Sequence, residues 1–114
     1  MKRKKEIRLR CWIAIDGIKL FGPGPAELLE HIEQEGSLVK AAKRMRMSYK
    51  KAWDIVDDLN TRSRRPLVVS HKGGKAGGGA ALTETGRKVL HRYQVLTEKL
   101  QAVIATESEL LNLI

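Results

Sequence analysis

A single cysteine, Cys11, is all the thiol that this 114-residue sequence holds, which excludes any intramolecular disulfide. Cys11 lies in a hydrophobic, strand-like stretch and reads as a small apolar side chain. Aromatic residues are also scarce, at two Trp, two Tyr and one Phe, too few for a single-strand binder built on stacking platforms. Long hydrophobic runs are missing. The longest near the N-terminus, 11–15, is bounded by Arg10 and Asp16 and is too short for a signal-peptide core or a bilayer span, so a cytoplasmic protein without a membrane partner is expected. No paired carboxylates and no nucleophile–base arrangement stand out, and His31, His71, His91 and Cys11 lack metal-ligand spacing. No enzyme, metal site or cofactor is therefore expected. Lys75 among glycines is followed by Ala76, not by the Ser or Thr that a phosphate-cradling P-loop requires.

What is abundant is positive charge. Lys and Arg total 22 against 13 acids, a net charge of +9, while 42% of residues are hydrophobic. Such a chain is apolar enough to fold and of a length for one domain, 1–114. Its charge favours a polyanion, with nucleic acid ahead of an anionic membrane surface or an acidic protein. The span 37–51 is the telling part: Lys40, Lys43, Arg44, Arg46, Lys50 and Lys51 fall there with no acid, whereas a merely solvated face usually mixes signs.

The pattern predicts a mainly α protein with small β hairpins. Ile7, Leu9, Cys11, Ile13 and Ile15 alternate with other residues in the period of a half-buried strand, and Asp16-Gly17 supplies a type I′ turn, giving an N-terminal hairpin over 6–21. Gly22 and Pro23 break it. A helix over 25–36 carries Leu28, Leu29 and Ile32 on one face and ends at Gly36. Ser37 and Ser48 are N-cap candidates for two short helices meeting across a tight turn, a helix–turn–helix over 37–62. Its second helix turns Ala52, Trp53, Ile55, Val56 and Leu59 inward, with Trp53 expected in the core. Two short strands within 67–82, joined by a glycine-rich loop, occupy the wing position. A long helix over 84–113 follows, with capping-box spacing at Thr106 and Glu109 that marks a break near Ala105.

Candidate DNA contacts follow from this layout. Ser48, Tyr49, Lys50, Lys51 and Asp54 stand outward at the start of the second helix, able to meet base edges or phosphates in a major groove, and Ser37 opens the helix before it. Lys72, Gly73, Gly74 and Lys75 form a wing tip free of side-chain bulk that can approach phosphates or a minor groove closely. On the last helix Val89, Tyr93, Leu96, Leu100 and Val103 form a heptad-like seam suited to pairing two copies, although it could instead cover the domain's own core.

The stretch Ser48-Tyr49-Lys50-Lys51-Ala52-Trp53-Asp54, with Gly73-Gly74-Lys75-Ala76-Gly77-Gly78-Gly79-Ala80 and Leu82-Thr83-Glu84-Thr85-Gly86, resembles the N-terminal DNA-binding domain of the ModE family of molybdate-responsive transcriptional regulators. Gly36-Ser37-Leu38 and Ala41-Ala42 resemble the related LysR-type motif. The likeness runs from about Ile13 to about Ala105. It implies a winged helix–turn–helix that dimerises and binds a palindromic operator in double-stranded DNA. It also implies a recognition helix starting at Ser48, Tyr49, Lys50 and Lys51, and a wing at 72–79. Molybdate-sensing members carry C-terminal oxyanion-binding domains, and nothing of that kind follows in this sequence, so a separate effector-sensing subunit is one expectation. Two other readings of the same basic surface are an adaptor holding an acidic protein and a non-specific nucleic-acid packager.

Overall fold

A two-residue turn sets the first element. Asp16 and Gly17 both take positive φ, 51° and 79°, as a type I′ turn requires. They join β1 (Ile13–Ile15) to β2 (Ile18–Phe21) in antiparallel register, Ile15 opposite Ile18 and Ala14 opposite Lys19. The computed structural model describes residues 3–71 and 79–114. The strand expected from Ile7 onward is shorter than its alternation suggests, because pairing covers only Ile13–Ile15. The cause is the partner: β2 stops at Phe21, where Gly22 becomes the N-cap of α1 (Pro23–Glu35) and Pro23, which has no N–H, opens the helix. The preceding segment is held by side chains instead. Tyr93 Oη donates to the Cys11 carbonyl at 2.8 Å, and Lys19 Nζ sits 5.1 Å from the centre of the Trp12 ring.

α1 starts two residues before the expected boundary and buries Leu28, Leu29 and Ile32 completely. Gly36, at φ 65°, donates its N–H to the Ile32 carbonyl at 2.8 Å and closes the helix, a left-handed cap that suits glycine. The next two helices, α2 (Leu38–Arg44) and α3 (Tyr49–Arg62), are each capped by the serine expected: Ser37 Oγ accepts from Lys40 N at 3.2 Å and Ser48 Oγ from Lys51 N at 3.0 Å. Arg46 takes φ 55° in the turn between them. Ala41, Ala42 and Ala52 are all buried, and small side chains there let the helices cross closely.

Strands β3 (Val68–His71) and β4 (Gly79–Leu82) pair antiparallel from Val68 opposite Leu82 to His71 opposite Gly79. Ala80 N donates to the Gly36 carbonyl at 3.0 Å, fixing this hairpin to the end of α1. Thr83 then caps α4 (Glu84–Ala105): its Oγ1 accepts from Gly86 N at 2.9 Å and donates to the Pro66 carbonyl at 2.7 Å. Gly86 lies so close to the Leu67 carbonyl that a Cβ would collide with it. The 84–113 helix is two helices, α4 and α5 (Glu109–Leu113). The break near Ala105 is present but the capping box is not. Thr106 closes α4 by donating to the Val103 carbonyl, and it is Glu107 whose carboxylate accepts from Leu110 N.

One core unites these pieces: Leu20, Phe21, Leu28, Leu29, Ile32, Leu59, Leu67, Leu82, Leu90 and Tyr93 belong to a single buried cluster. The architecture is a winged helix–turn–helix with an N-terminal hairpin and a long C-terminal helix.

Candidate nucleic-acid interface

Three buried positions orient α3. Ala52, Val56 and Leu59 form its inner stripe, so at 100° per residue the side chains of Lys50 and Asp54 point directly away from the core. Lys50 and Asp54 pair at 3.3 Å one turn apart, with 81% and 53% of their side chains exposed. A pair this exposed contributes little to stability, so Lys50 can exchange Asp54 for a phosphate or a base-edge acceptor and Asp54 can exchange Lys50 for a base-edge amine.

Ser48, Tyr49 and Lys51 are exposed beside them at the start of α3. The two capping serines each use one lone pair to hold an amide of their own helix, so each keeps its O–H proton and a second lone pair for an external partner. Ser37 lies at the head of α2, next to Gly36, to which β4 is tied. The fold thus brings the starts of α2 and α3 and the base of the wing to one side, and Lys40, Lys43, Arg44, Arg46, Lys50 and Lys51 are all exposed on the two helices and the turn between them. The wing's aim is set by Asn60 on α3. Its Oδ1 accepts from Leu67 N at 2.8 Å and Val68 N at 3.1 Å, and its Nδ2 donates to the Val68 carbonyl at 2.9 Å. The wing-tip candidates Lys72, Gly73, Gly74 and Lys75 lie outside the described residues.

Trp53 is not in the core, contrary to expectation. It sits about a quarter-turn round the helix from the Ala52 stripe and leaves 49% of its surface exposed. With Tyr49, one turn earlier, it lines a 390 Å³ recess between α3, the start of α2 and the wing strands. Reading Trp53 from hydrophobicity alone missed this. The angular offset from Ala52, Val56 and Leu59 was the available signal.

Arg62 has a structural position: Nη1 donates to the Lys19 carbonyl at 3.0 Å and Nη2 to that of Ile18 at 2.9 Å, joining α3 to the N-terminal hairpin.

The seam on α4 divides in two. Tyr93, expected to face a second copy, is instead buried in its own protomer, edge-on to Phe21 with ring centres 5.0 Å apart and its hydroxyl paired with Cys11. The phenol finds its apolar and polar partners together only there, and that burial raises its pKa, with a smaller contribution from Cys11. Val89 packs against the same core, and Leu100 is half-buried. Leu96 and Val103 remain 40% and 67% exposed. Beside them lies an apolar groove of 510 Å³ lined by Ile13, Ile15, Val89 and Leu96 and rimmed by Arg64, Lys88 and Arg92. Among the described residues no helix is long and apolar enough to cross a membrane.

Residues 26–87 match the family described as bacterial regulatory helix-turn-helix protein, lysR family. The chain is 46% identical over 85 residues to the molybdenum transport protein ModE of Azotobacter vinelandii, covering 75% of this chain and 32% of that protein. It is 45% identical over 92 residues to the transcriptional regulator ModE of Haemophilus influenzae, covering 81% and 36%. To the DNA-binding transcriptional dual regulator ModE of Escherichia coli it is 42% identical over 81 residues, covering 70% and 31%. The chain thus matches about a third of the length of these relatives. A solved structure of a mutant of S. aureus MepR superposes with a TM-score of 0.58 at 16% identity, over 78% of this chain and 66% of that one, a likeness of fold.

Proposed function

The chain belongs to the lysR family of bacterial regulatory helix-turn-helix proteins, in its ModE-like DNA-binding branch, and from that premise we propose that it binds a palindromic operator as a homodimer, in the cytoplasm, to regulate genes of molybdenum metabolism. In this reading α3 enters the major groove. Ser48, Tyr49, Lys50, Lys51 and Asp54 meet base edges and phosphates, Ser37 and the wing tip with Lys72, Gly73, Gly74 and Lys75 meet the backbone, and an effector acts through a separate sensing unit. The supporting observation is the run of exposed cations over α2 and the first turn of α3, a stretch with no acid of its own between 37 and 51, whose helix starts lie beside the base of the wing.

Pairing is supported by what α4 and α5 leave uncovered. Leu96, Val103, Leu110 and Leu113 are exposed. An antiparallel pairing of two α4 helices about Leu100 brings the second copy's α5 over the groove beside Lys88 and Arg92, where Glu107 and Glu109 would face its cationic rim. Two copies also double the phosphate contacts and create the two-fold site that a palindrome mirrors.

Selection of bound duplexes from a random DNA pool, with and without molybdate, tests the proposal. A palindromic consensus is expected, and Lys50→Ala or Lys51→Ala should weaken binding to it, by about 1–3 kcal/mol of discrimination where a base contact is lost. Absence of sequence-selective retention would favour an acidic protein partner. Tight binding that falls steeply with salt yet ignores sequence would mark a packager.

A further inference from the structure

Three half-exposed apolar side chains cluster where the surface is otherwise cationic. Val39, Tyr49 and Trp53 leave 47%, 53% and 49% of their surface uncovered, and together they line one side of the recess whose far side includes Ser70 and Gly79 of the wing. Apolar area left in water forgoes the stabilisation that burial gives, and a cluster of this kind marks a surface that a partner covers. Lys40 and Lys50 are exposed on the same two helices, so the surroundings suit a polyanion. Tyr49 and Trp53 are one turn apart and form a stripe running beside the outward Lys50–Asp54 pair.

We propose that Trp53, with Val39 and Tyr49, is a specificity-determining contact that packs against the C5-methyl of thymine at the flank of the recognition helix. This rests on the DNA reading above. The thymine methyl is the one apolar mark among the donors and acceptors that base pairs show in the major groove. It projects at the edge of that groove, toward its own strand's backbone. A helix whose outermost stripe is Lys50 and Asp54 presents its flank, and so Trp53, to that edge. The deoxyribose is the other apolar part of a DNA strand, but it is the same at every nucleotide and would yield affinity without selectivity. An ion-paired stripe and an apolar stripe side by side on one helix thus read two kinds of mark, hydrogen-bonding edges and methyl groups.

The test uses the duplex recovered from the random pool, synthesised with deoxyuridine in place of each thymidine in turn, which removes one methyl and leaves base pairing intact. Wild-type protein should bind the analogue at one position in each half-site about fourfold more weakly, the effect of one methyl no longer buried. Trp53→Ala should bind parent and analogue equally well. Wild-type protein that binds every deoxyuridine analogue as tightly as the parent overturns the inference, and this arm needs no variant. A folded Trp53→Ala protein that keeps the full discrimination overturns it equally, as does one that loses affinity for parent and analogues alike while discrimination persists. A pool that yields no consensus overturns the DNA reading and this inference together.

Discussion

Asn60 joins α3 to the wing, and replacing it with Ala exposes how much of the fold depends on that joint. The side chain is half-buried and makes three hydrogen bonds, accepting from Leu67 N and Val68 N and donating to the Val68 carbonyl. At about 1 kcal/mol net for each bond, Asn60→Ala should destabilise the domain by about 3 kcal/mol, somewhat more if the freed amides stay dry. Asn60→Asp keeps the two acceptor contacts but loses the donor and turns a carboxylate toward the Val68 carbonyl, a repulsion that offsets what those two contacts retain, so it should also be destabilising. Urea denaturation followed by circular dichroism reads the difference. With a slope of about 1.5–2 kcal/mol/M for a domain of this size, the midpoint should fall by about 1.5–2 M for the Ala variant. A midpoint within about 0.3 M of wild type would refute the reasoning, because it would mean that the wing holds its place without Asn60.

Other expected outcomes bear on the remaining joints. Ser48→Ala removes the cap of α3 and should cost about 1 kcal/mol of stability, read in the same denaturation experiment; an unchanged midpoint would contradict the capping role. Tyr93→Phe should cost about 1 kcal/mol near neutral pH by losing the bond to the Cys11 carbonyl. Because burial raises the folded-state pKa above the ordinary phenol value of 10.0, the wild-type advantage is fully present below that value and shrinks as pH rises through the folded-state pKa; a gap that stays constant through that range would count against the burial argument. Val103→Glu places a charge at the most exposed point of the α4 seam and should shift sedimentation from dimer to monomer. An intact dimer would move the interface elsewhere.

Local chemistry was legible in the sequence where a single residue decides a backbone conformation. Asp16-Gly17, Gly36, Ser37 and Ser48 each mark a turn or cap that the structure shows at that residue. Two of the misreadings share a different cause, since each depended on a neighbour far away in the chain, whereas that of Trp53 is local. Alternation through 7–15 resembles a strand, but a strand reaches only as far as its partner, and β2 ends at Phe21. Tyr93 fits a heptad seam by spacing, yet Cys11 and Phe21 draw it inward. Trp53 is hydrophobic, but the inner face of α3 is already filled by Ala52, Val56 and Leu59. Of the candidate site, the cationic stretch was visible as charge along the chain; its apolar flank emerged only once α2, α3 and the wing were placed together.

The central claim, that α3 reads the major groove in a two-fold complex, is tested most directly by methylation interference on the selected duplex. Dimethyl sulfate marks guanine at N7, on the major-groove side, and adenine at N3, on the minor-groove side. The account predicts that N7 methylation blocks binding at two symmetric positions separated by about one helical turn, ~34 Å. Interference confined to adenine N3, or at a single unsymmetric position, would contradict it.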